Sequence, residues 1–303
     1  MKFDFLSESD QAYFIHKAST LVEALPYIRQ HSGKNIVIKY GGHTMGDIKL
    51  AKSFSQDVGL LKEIGINPIV VHGGGPQIGN MLKKKNIKSK FIKGLRVTDY
   101  ETVKVVEEVL SKDINSKIVE DIIATGGKAI GLSGHLDNII EAEKLKIKMQ
   151  DSDSNIEKLL DLGFVGKPTK INIDKIYESL SKGYIPVIAP LGQDKEKNIY
   201  NINADTAAGA IAGAMKVSKL QLLTDVAGIL DRNNKLISSL SLKDAKRIIN
   251  EDYVVGGMKP KIETCINAID RGVKEATILD GRIPHSLILE LFTEHGIGTQ
   301  IIS

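Results

Sequence analysis

Three things are scarce in this chain, and each scarcity excludes a class of protein. There is one cysteine in 303 residues, so no internal disulfide can form. Cys265 reads as a buried structural thiol, because the sequence offers no partner that would make it catalytic. No apolar run approaches the roughly 18–20 residues that cross a bilayer, which sets membrane residence aside. Excess charge is small, +4 net, and the lysines are scattered except at Lys83–Lys85. That short run reads as a solvated helix face rather than a nucleic-acid patch. The N-terminus, MKFDFLSESDQAYF, has early acidic residues and no apolar core with a small-residue cleavage site. No secretory leader is expected, and the cytoplasm is the expected compartment. Internal repeats and low-complexity linkers are lacking as well.

What is there is a succession of short apolar runs that end in glycine. They are NIVIKYGG (Asn35 to Gly42), INPIVVHGGG (Ile66 to Gly75), GGKAIGLSG (Gly126 to Gly134), IPVIAPLG (Ile185 to Gly192), LQLLTDVAG (Leu220 to Gly228) and EATILDG (Glu275 to Gly281). The runs are continuous rather than alternating, and amphipathic helices at Asp47–Ile64, Tyr100–Ala124, Asp205–Met215 and Pro260–Arg271 separate them. The pattern predicts an α/β fold, a mainly parallel sheet covered by helices on both faces in three αβα layers. The length allows one large unit or two lobes. Ligands of such sheets bind outside the C-terminal strand ends, where the glycines fall. Before the first strand, helical spacing interrupted by Pro26 predicts a bent N-terminal helix, for packing or for an oligomer contact. The phrase GFVGKPTKINID reads as a short hairpin, either a lid or a peripheral insertion, with a turn at Ser152–Asn155.

In VVHGGGPQIGNML a strand ends, three glycines follow, and a helix begins. Backbone N–H groups of Gly73, Gly74 and Gly75 can converge there on a carboxylate or phosphate, with the helix dipole behind them. A tight structural turn is the alternative. No Gly-Lys-Ser/Thr closes the loop, so it is not a Walker motif. A second turn, KYGG, places Lys39 at a strand end beside Gly41 and Gly42, a pairing that suits phosphoryl transfer if Lys39 faces the site and not solvent. In NINAD, Asn203 or Asp205 could cap the next helix; otherwise Asp205 orients lysines and Asn201 meets substrate. Thr224 and Asp225 end another strand, and YVVGGMKPKIE brings a third glycine pair with Lys259 and Lys261. The remaining histidines read as surface residues rather than supporting donors.

These motifs, KYGG, VVHGGGPQI, GLRVTD (Gly94 to Asp99), NINAD, LLTDVAGIL (Leu222 to Leu230) and GGMKPKI (Gly256 to Ile262), come in the order of the acetylglutamate kinase branch of the amino acid kinase family. The chain resembles that branch from about residue 21 to 301. The resemblance implies transfer of the ATP γ-phosphoryl group to the γ-carboxylate of N-acetyl-L-glutamate in arginine biosynthesis, with Mg²⁺ on the ATP phosphates. It implies an N-terminal helical segment over 1–33 and a kinase domain over 34–303, whose lobes divide near 195/196 into acetylglutamate and ATP halves. Lys39 and Lys261 resemble the lysines that stabilise the transition state, and Asp205 the aspartate that positions them. Gly74, Gly75, Arg96 and Asn201 resemble the acetylglutamate site, with Arg96 on the α-carboxylate. Gly41 and Gly42 would hold phosphates, with Thr224, Asp225, Gly228, Gly256, Gly257 and Met258 on the nucleotide side.

The resemblance extends to arginine-inhibited hexamers, trimers of dimers joined by the kinked helix, with Tyr27, Glu290 and Gly296 as L-arginine contacts. It leaves room for a PII-type regulatory partner. Departures from the branch pattern are His43, Thr44, His135 and Thr277. Other acceptors of the same fold, namely aspartate, glutamate, carbamate or a nucleoside monophosphate, are disfavoured because VVHGGGPQI and GLRVTD occur together. A catalytically silent arginine sensor would not need Lys39, Asp205 and Lys261.

Overall fold

The computed structural model describes residues 7–151 and 154–303. Its elements begin with α1 (Glu8–Glu23), α2 (Leu25–His31), β1 (Asn35–Tyr40), α3 (Ile48–Glu63), β2 (Asn67–His72) and α4 (Gly75–Lys84). A two-stranded ribbon follows, β3 (Phe91–Ile92) and β4 (Leu95–Arg96), then α5 (Tyr100–Glu108), α6 (Asn115–Ala124) and β5 (Ala129–Ser133). Next come β6 (Ile140–Asp151), β7 (Ser154–Ile171), α7 (Asp174–Ser181), β8 (Ile185–Ala189), β9 (Leu191–Gln193) and β10 (Ile199–Asn201). The last part comprises α8 (Ala204–Met215), β11 (Lys219–Thr224), β12 (Ser239–Ser241), α9 (Leu242–Ile248), α10 (Met258–Asp270), β13 (Glu275–Asp280), α11 (Ser286–Phe292) and β14 (Thr299–Ile302).

Eight strands form one sheet in the order β12-β14-β13-β11-β1-β2-β8-β5, and every neighbouring pair is parallel except β13 with β14. The sheet runs unbroken through both expected lobes. Successive strand residues point to opposite faces, and the two cores follow from that. Val37, Ile69, Val71, Leu220 and Leu222 pack with α8 and α10, whereas Ile36, Ile38, Val70, Val58 of α3 and Ile118 of α6 fill the other side. The layers are therefore αβα. Because β2 lies on one side of β1 and β11 on the other, the strand order reverses at β1. A crevice opens at such a point, and Lys39 sits in it.

Three expectations need correction. The single helix over Tyr100–Ala124 is broken by a π-helical turn, Val109–Ile114, where one turn widens and re-aims the following residues. GFVGKPTKINID is not a hairpin of its own. It is the end of β7, which pairs antiparallel with β6 upstream, followed by the exit into α7. Part of the expected turn at Ser152–Asn155 lies outside the described residues. The N-terminal helix is split rather than merely bent: α1 ends before Ala24, and Pro26 occupies the first turn of α2, where its missing N–H costs nothing. α2 lies against α11 through an edge-to-face contact of Tyr27 with Phe292, ring centroids 6.4 Å apart.

Candidate active site

β1 alternates, so Ile36, Ile38 and Tyr40 face α3 while Val37 and Lys39 face α8 and α10. This parity turns Lys39 away from solvent at the strand end. α8 begins opposite, with Asn203 as its cap: the Asn203 side chain accepts from the Thr206 N–H at 3.1 Å. Asp205, one residue into α8, is left free of capping. Its Oδ1 lies 3.1 Å from Lys39 Nζ and its Oδ2 accepts from Lys261 Nζ at 2.7 Å. Lys261 comes from the first turn of α10, just after Gly256 and Gly257. Burial would raise the Asp205 carboxyl, but the two ammonium groups outweigh it and hold it down at about 2. The result is two cations fixed by one anion, with net positive charge in the wall of a cavity.

That cavity, about 340 Å³, is lined by Lys39, Gly42, Gly73–Gly75, Arg96, Leu110, Asn201, Asp205 and Lys261 among others. Arg96, also in its wall, is 7% exposed. The guanidinium stacks 4.6 Å from the Phe91 ring centroid, donates to the Ser89 hydroxyl, and donates to the Gly75 carbonyl at 2.9 Å. Burial lowers its pKa from the usual arginine range, and among the described residues no carboxylate pairs with it. Asn201 Nδ2 reaches Thr98 Oγ1 at 3.5 Å. One chamber therefore brings two ammonium groups and a guanidinium into a common wall.

The glycine turns of β1 and β2 are joined, since Gly73 N–H donates to Tyr40 O at 2.7 Å. At Gly74 the missing side chain has a cause that the sequence does not reveal. An added Cβ would lie 2.5 Å from Ile114 Cδ1 and 2.6 Å from Leu110 Cδ2, both on the π-helical turn. Helix packing, not a ligand, excludes a side chain there, whereas Gly75 has open space around its Cβ direction. Gly74→Ala is expected to cost about 1–3 kcal/mol of stability by overpacking, and Gly75→Ala less than about 0.5 kcal/mol. Urea denaturation of the two variants checks this, and equal midpoints would refute it.

The nucleotide-side candidates lie outside this cavity wall. Thr224 ends β11 and its hydroxyl approaches Asp225 at 3.3 Å. Gly256, at φ +59, and Gly257 lead into α10, which opens with Met258. Gly228, at φ +150, is a packing glycine: its Cβ would lie 2.6 Å from Thr299 Oγ1 and 2.8 Å from Leu236 Cδ1. The effector candidates stand together on another face. Glu290 of α11 is buried and accepts from Ile297 N–H at 2.9 Å and Gly298 N–H at 3.3 Å, with Gly296 beside it and Lys219 Nζ at 3.9 Å.

Several histidines are not surface residues. His31, His72 and His135 are buried; His135 bridges Ser133 and Glu107, 3.0 Å from each. Thr44 is buried, donating to Gly41 O at 2.7 Å, and Thr277 is buried in β13. The His43 side chain lies outside the described residues. Cys265 is buried, and burial pushes its thiol far up. A second cavity, about 370 Å³, has Tyr40, Met45, Gln77 and Ile114 in its wall and none of the three charges above. Among the described residues no group of His, Cys, Asp or Glu could hold a metal ion, and no helix is long and apolar enough to cross a membrane.

The amino acid kinase family model matches residues 34–280. Acetylglutamate kinase of Rhodospirillum centenum is 54% identical over 288 residues, covering 95% of this chain and 94% of that protein. The acetylglutamate kinase of Mesorhizobium japonicum is 54% identical over 286 residues, covering 94% and 96%. Among solved structures, N-acetylglutamate synthase from Neisseria gonorrhoeae, complexed with coenzyme A and N-acetyl-glutamate, has a TM-score of 0.80 at 25% identity. The match covers 94% of this chain but 63% of the synthase, so this chain spans less than two thirds of that protein. Carbamate kinase from Giardia lamblia bound to AMP-PNP, at TM-score 0.60 and 15% identity over 90% of this chain and 99% of that one, shares the fold. On the family match and on relatives that align along nearly its whole length, the chain belongs to the amino acid kinase family.

Proposed function

We propose that this kinase transfers the γ-phosphoryl group of ATP to the γ-carboxylate of N-acetyl-L-glutamate, giving N-acetyl-L-glutamyl 5-phosphate and ADP in arginine biosynthesis. The observation that carries the reading is one chamber lined by both the Lys39–Asp205–Lys261 triad and a buried Arg96 that has no carboxylate partner among the described residues. Arg96 pairs with the α-carboxylate, and Asn201 with the Gly74–Gly75 turn holds the rest of the acceptor. The γ-carboxylate is already an anion at neutral pH, so its oxygen attacks phosphorus without a protein base. One O–P bond forms as the bond to the ADP oxygen breaks, and Lys39 and Lys261 neutralise charge on the transferring group. Gly41 and Gly42 hold phosphate oxygens, and Thr224, Asp225, Gly228, Gly256, Gly257 and Met258 border the nucleotide. Both Asp205 oxygens face ammonium groups, so a Mg²⁺ ion would come with ATP and would not be held by this carboxylate. The ion supplies further charge neutralisation.

The test is ADP release by purified protein with Mg-ATP and, separately, N-acetylglutamate, glutamate, aspartate and carbamate. Selective turnover of N-acetylglutamate is expected; equal or faster turnover of another acceptor overturns the reading. Arg96→Lys loses the bidentate fork and the stacking on Phe91. KM for N-acetylglutamate should rise about tenfold or more with KM for ATP nearly unchanged, and equal rises in both would remove Arg96 from the α-carboxylate.

Regulation follows from the N-terminal helices. α1 has no buried residue, and Phe14, Ile15 and Val22 are 45%, 56% and 63% exposed. Its apolar face joins dimers into a hexamer, and L-arginine binds where α2 meets α11, near Tyr27, Glu290 and Gly296. A PII-type protein is a further candidate regulator, and the cytoplasm is the compartment such a biosynthetic step implies. A chain beginning at Gly33 should form dimers that arginine does not inhibit, and light scattering that still shows a hexamer would sever this link.

A further inference from the structure

β2 ends at His72, which is fully buried, and the ring touches two things. Nδ1 lies 2.9 Å from the carbonyl of the next residue, Gly73, and Nε2 lies 3.2 Å from Asn115 Nδ2. A carbonyl only accepts, so Nδ1 carries the proton and donates; Nε2 of the neutral ring must then accept from the Asn115 amide. Burial supports the neutral ring by lowering the His72 pKa to about 4. The orientation of Asn115 is set independently, because its Nδ2 also faces Val187 O at 2.9 Å and Leu132 O at 3.3 Å, both acceptors. Its Oδ1 is turned toward Gly131, where any Cβ would collide with it. Asn115 starts α6 directly after the π-helical turn, so the widened turn delivers this side chain to the ring.

In a trans peptide the carbonyl and the following N–H point in opposite directions. Holding Gly73 O against His72 therefore turns the Gly74 N–H the other way, and Gly74 lines the cavity. Among the described residues that N–H has no acceptor. Two adjacent glycines would otherwise let this peptide flip at little steric cost. We propose that His72 and Asn115 are a positioning pair that locks the Gly73–Gly74 peptide with its N–H directed at the anion bound in the cavity. The proposal rests on the reading of this cavity as the phosphoryl-transfer site, with Gly74 N–H donating to the charge that moves between acceptor and phosphoryl group.

The first test does not depend on activity. A solid-state ¹⁵N spectrum of histidine-labelled protein should show one neutral ring with the proton on Nδ1 and a hydrogen-bonded, unprotonated Nε2, persisting at pH 5. In Asn115→Leu the Nε2 signal should shift as its donor is lost. An Nε2–H tautomer or an imidazolium at His72 overturns the lock, even if Lys39→Ala proves that the cavity is catalytic. The second test compares two truncations of the ring. His72→Asn keeps an amide N–H near the Nδ1 position, and His72→Leu does not. His72→Leu should lose about 10–100-fold in kcat/KM, as when a partner that orients a functional group is removed. His72→Asn should recover about tenfold of that loss. Equal activities in the two variants, both folded by thermal melting, reduce His72 to a packing role and overturn the proposal. Should both variants fail to fold, the wild-type spectrum decides.

Discussion

Lys39→Ala and Lys261→Ala are each expected to lower kcat by about 10²–10³-fold, the usual loss when one preorganised charge is taken from a developing anion. KM for ATP and for the acceptor should change by only a few fold. The reason lies in how the two ammonium groups are held. They approach Asp205 from different elements, β1 and α10, at 3.1 and 2.7 Å, so each faces the chamber from its own side. Held in place by Asp205 before any ligand arrives, they would need little reorganisation as charge spreads over phosphoryl oxygens. On the proposed reading, ground-state ATP and acceptor have other partners, so the lysines would act mainly in the transition state. Steady-state kinetics decide the matter: a KM effect with kcat unchanged would assign them to substrate binding.

Asp205→Asn should be the most damaging neutral substitution in the chain. The amide can accept from one lysine, but its NH₂ then faces the other ammonium, donor to donor, in a site where Asp205 is 7% exposed. Breaking a buried pair costs about 3–5 kcal/mol, and the lower end applies because the cavity admits water. Turnover should fall with stability, since both lysines lose their anchor. The pH dependence has a definite sign. The Asp205 carboxyl is held at about 2, below its ordinary 3.8, so the folded state favours the charged form. Its stabilisation, on the order of 2 kcal/mol, is complete above about pH 4 and disappears as the pH falls toward 2. Acid titration of the folded signal should therefore show a shallower loss between pH 4 and 2 in Asp205→Asn than in the wild type. Superimposable curves would mean that the carboxylate contributes nothing through its charge.

Much of this could be read from residue order because β1, β2, β5, β8, β11 and β13 are continuous apolar runs closed by glycine, a local pattern. The Lys39–Asp205 contact was legible only as motif and resemblance, since it joins residues distant in the chain through the strand reversal at β1. Two features could not be read. The π-helical turn has no propensity signature in VLSKDI: its helical spacing looks regular, and Leu110 and Ile114 meet Gly74 only in the folded chain. His72 looked like other scattered histidines, because its neutrality comes from burial and its tautomer from the Gly73 carbonyl together with Asn115, an asparagine that nothing in DINSK distinguishes. The one available hint was Gly131, a glycine inside a strand, which often marks a close approach by another group. Gly73, Gly74 and Gly75 also illustrate that a run of identical residues can hide different surroundings: ordinary contact with Gly41 and Tyr40 at the first, crowding by helix side chains at the second, open space at the third.

The bond from Gly73 N–H to Tyr40 O makes the two glycine loops behave, in genetic terms, as a single locus. An added Cβ at Gly41 would stand 3.1 Å from Lys39 Nζ and 3.4 Å from Gly73 N, so a lesion in the first loop is also a lesion in the second. Second-site revertants of a weakened Gly41 variant should accordingly fall outside its own loop, about 30 positions away around Gly73 and about 160 positions away at Ala204, whose Cβ is the nearest side-chain atom to Gly73's own Cβ direction, rather than beside the original change.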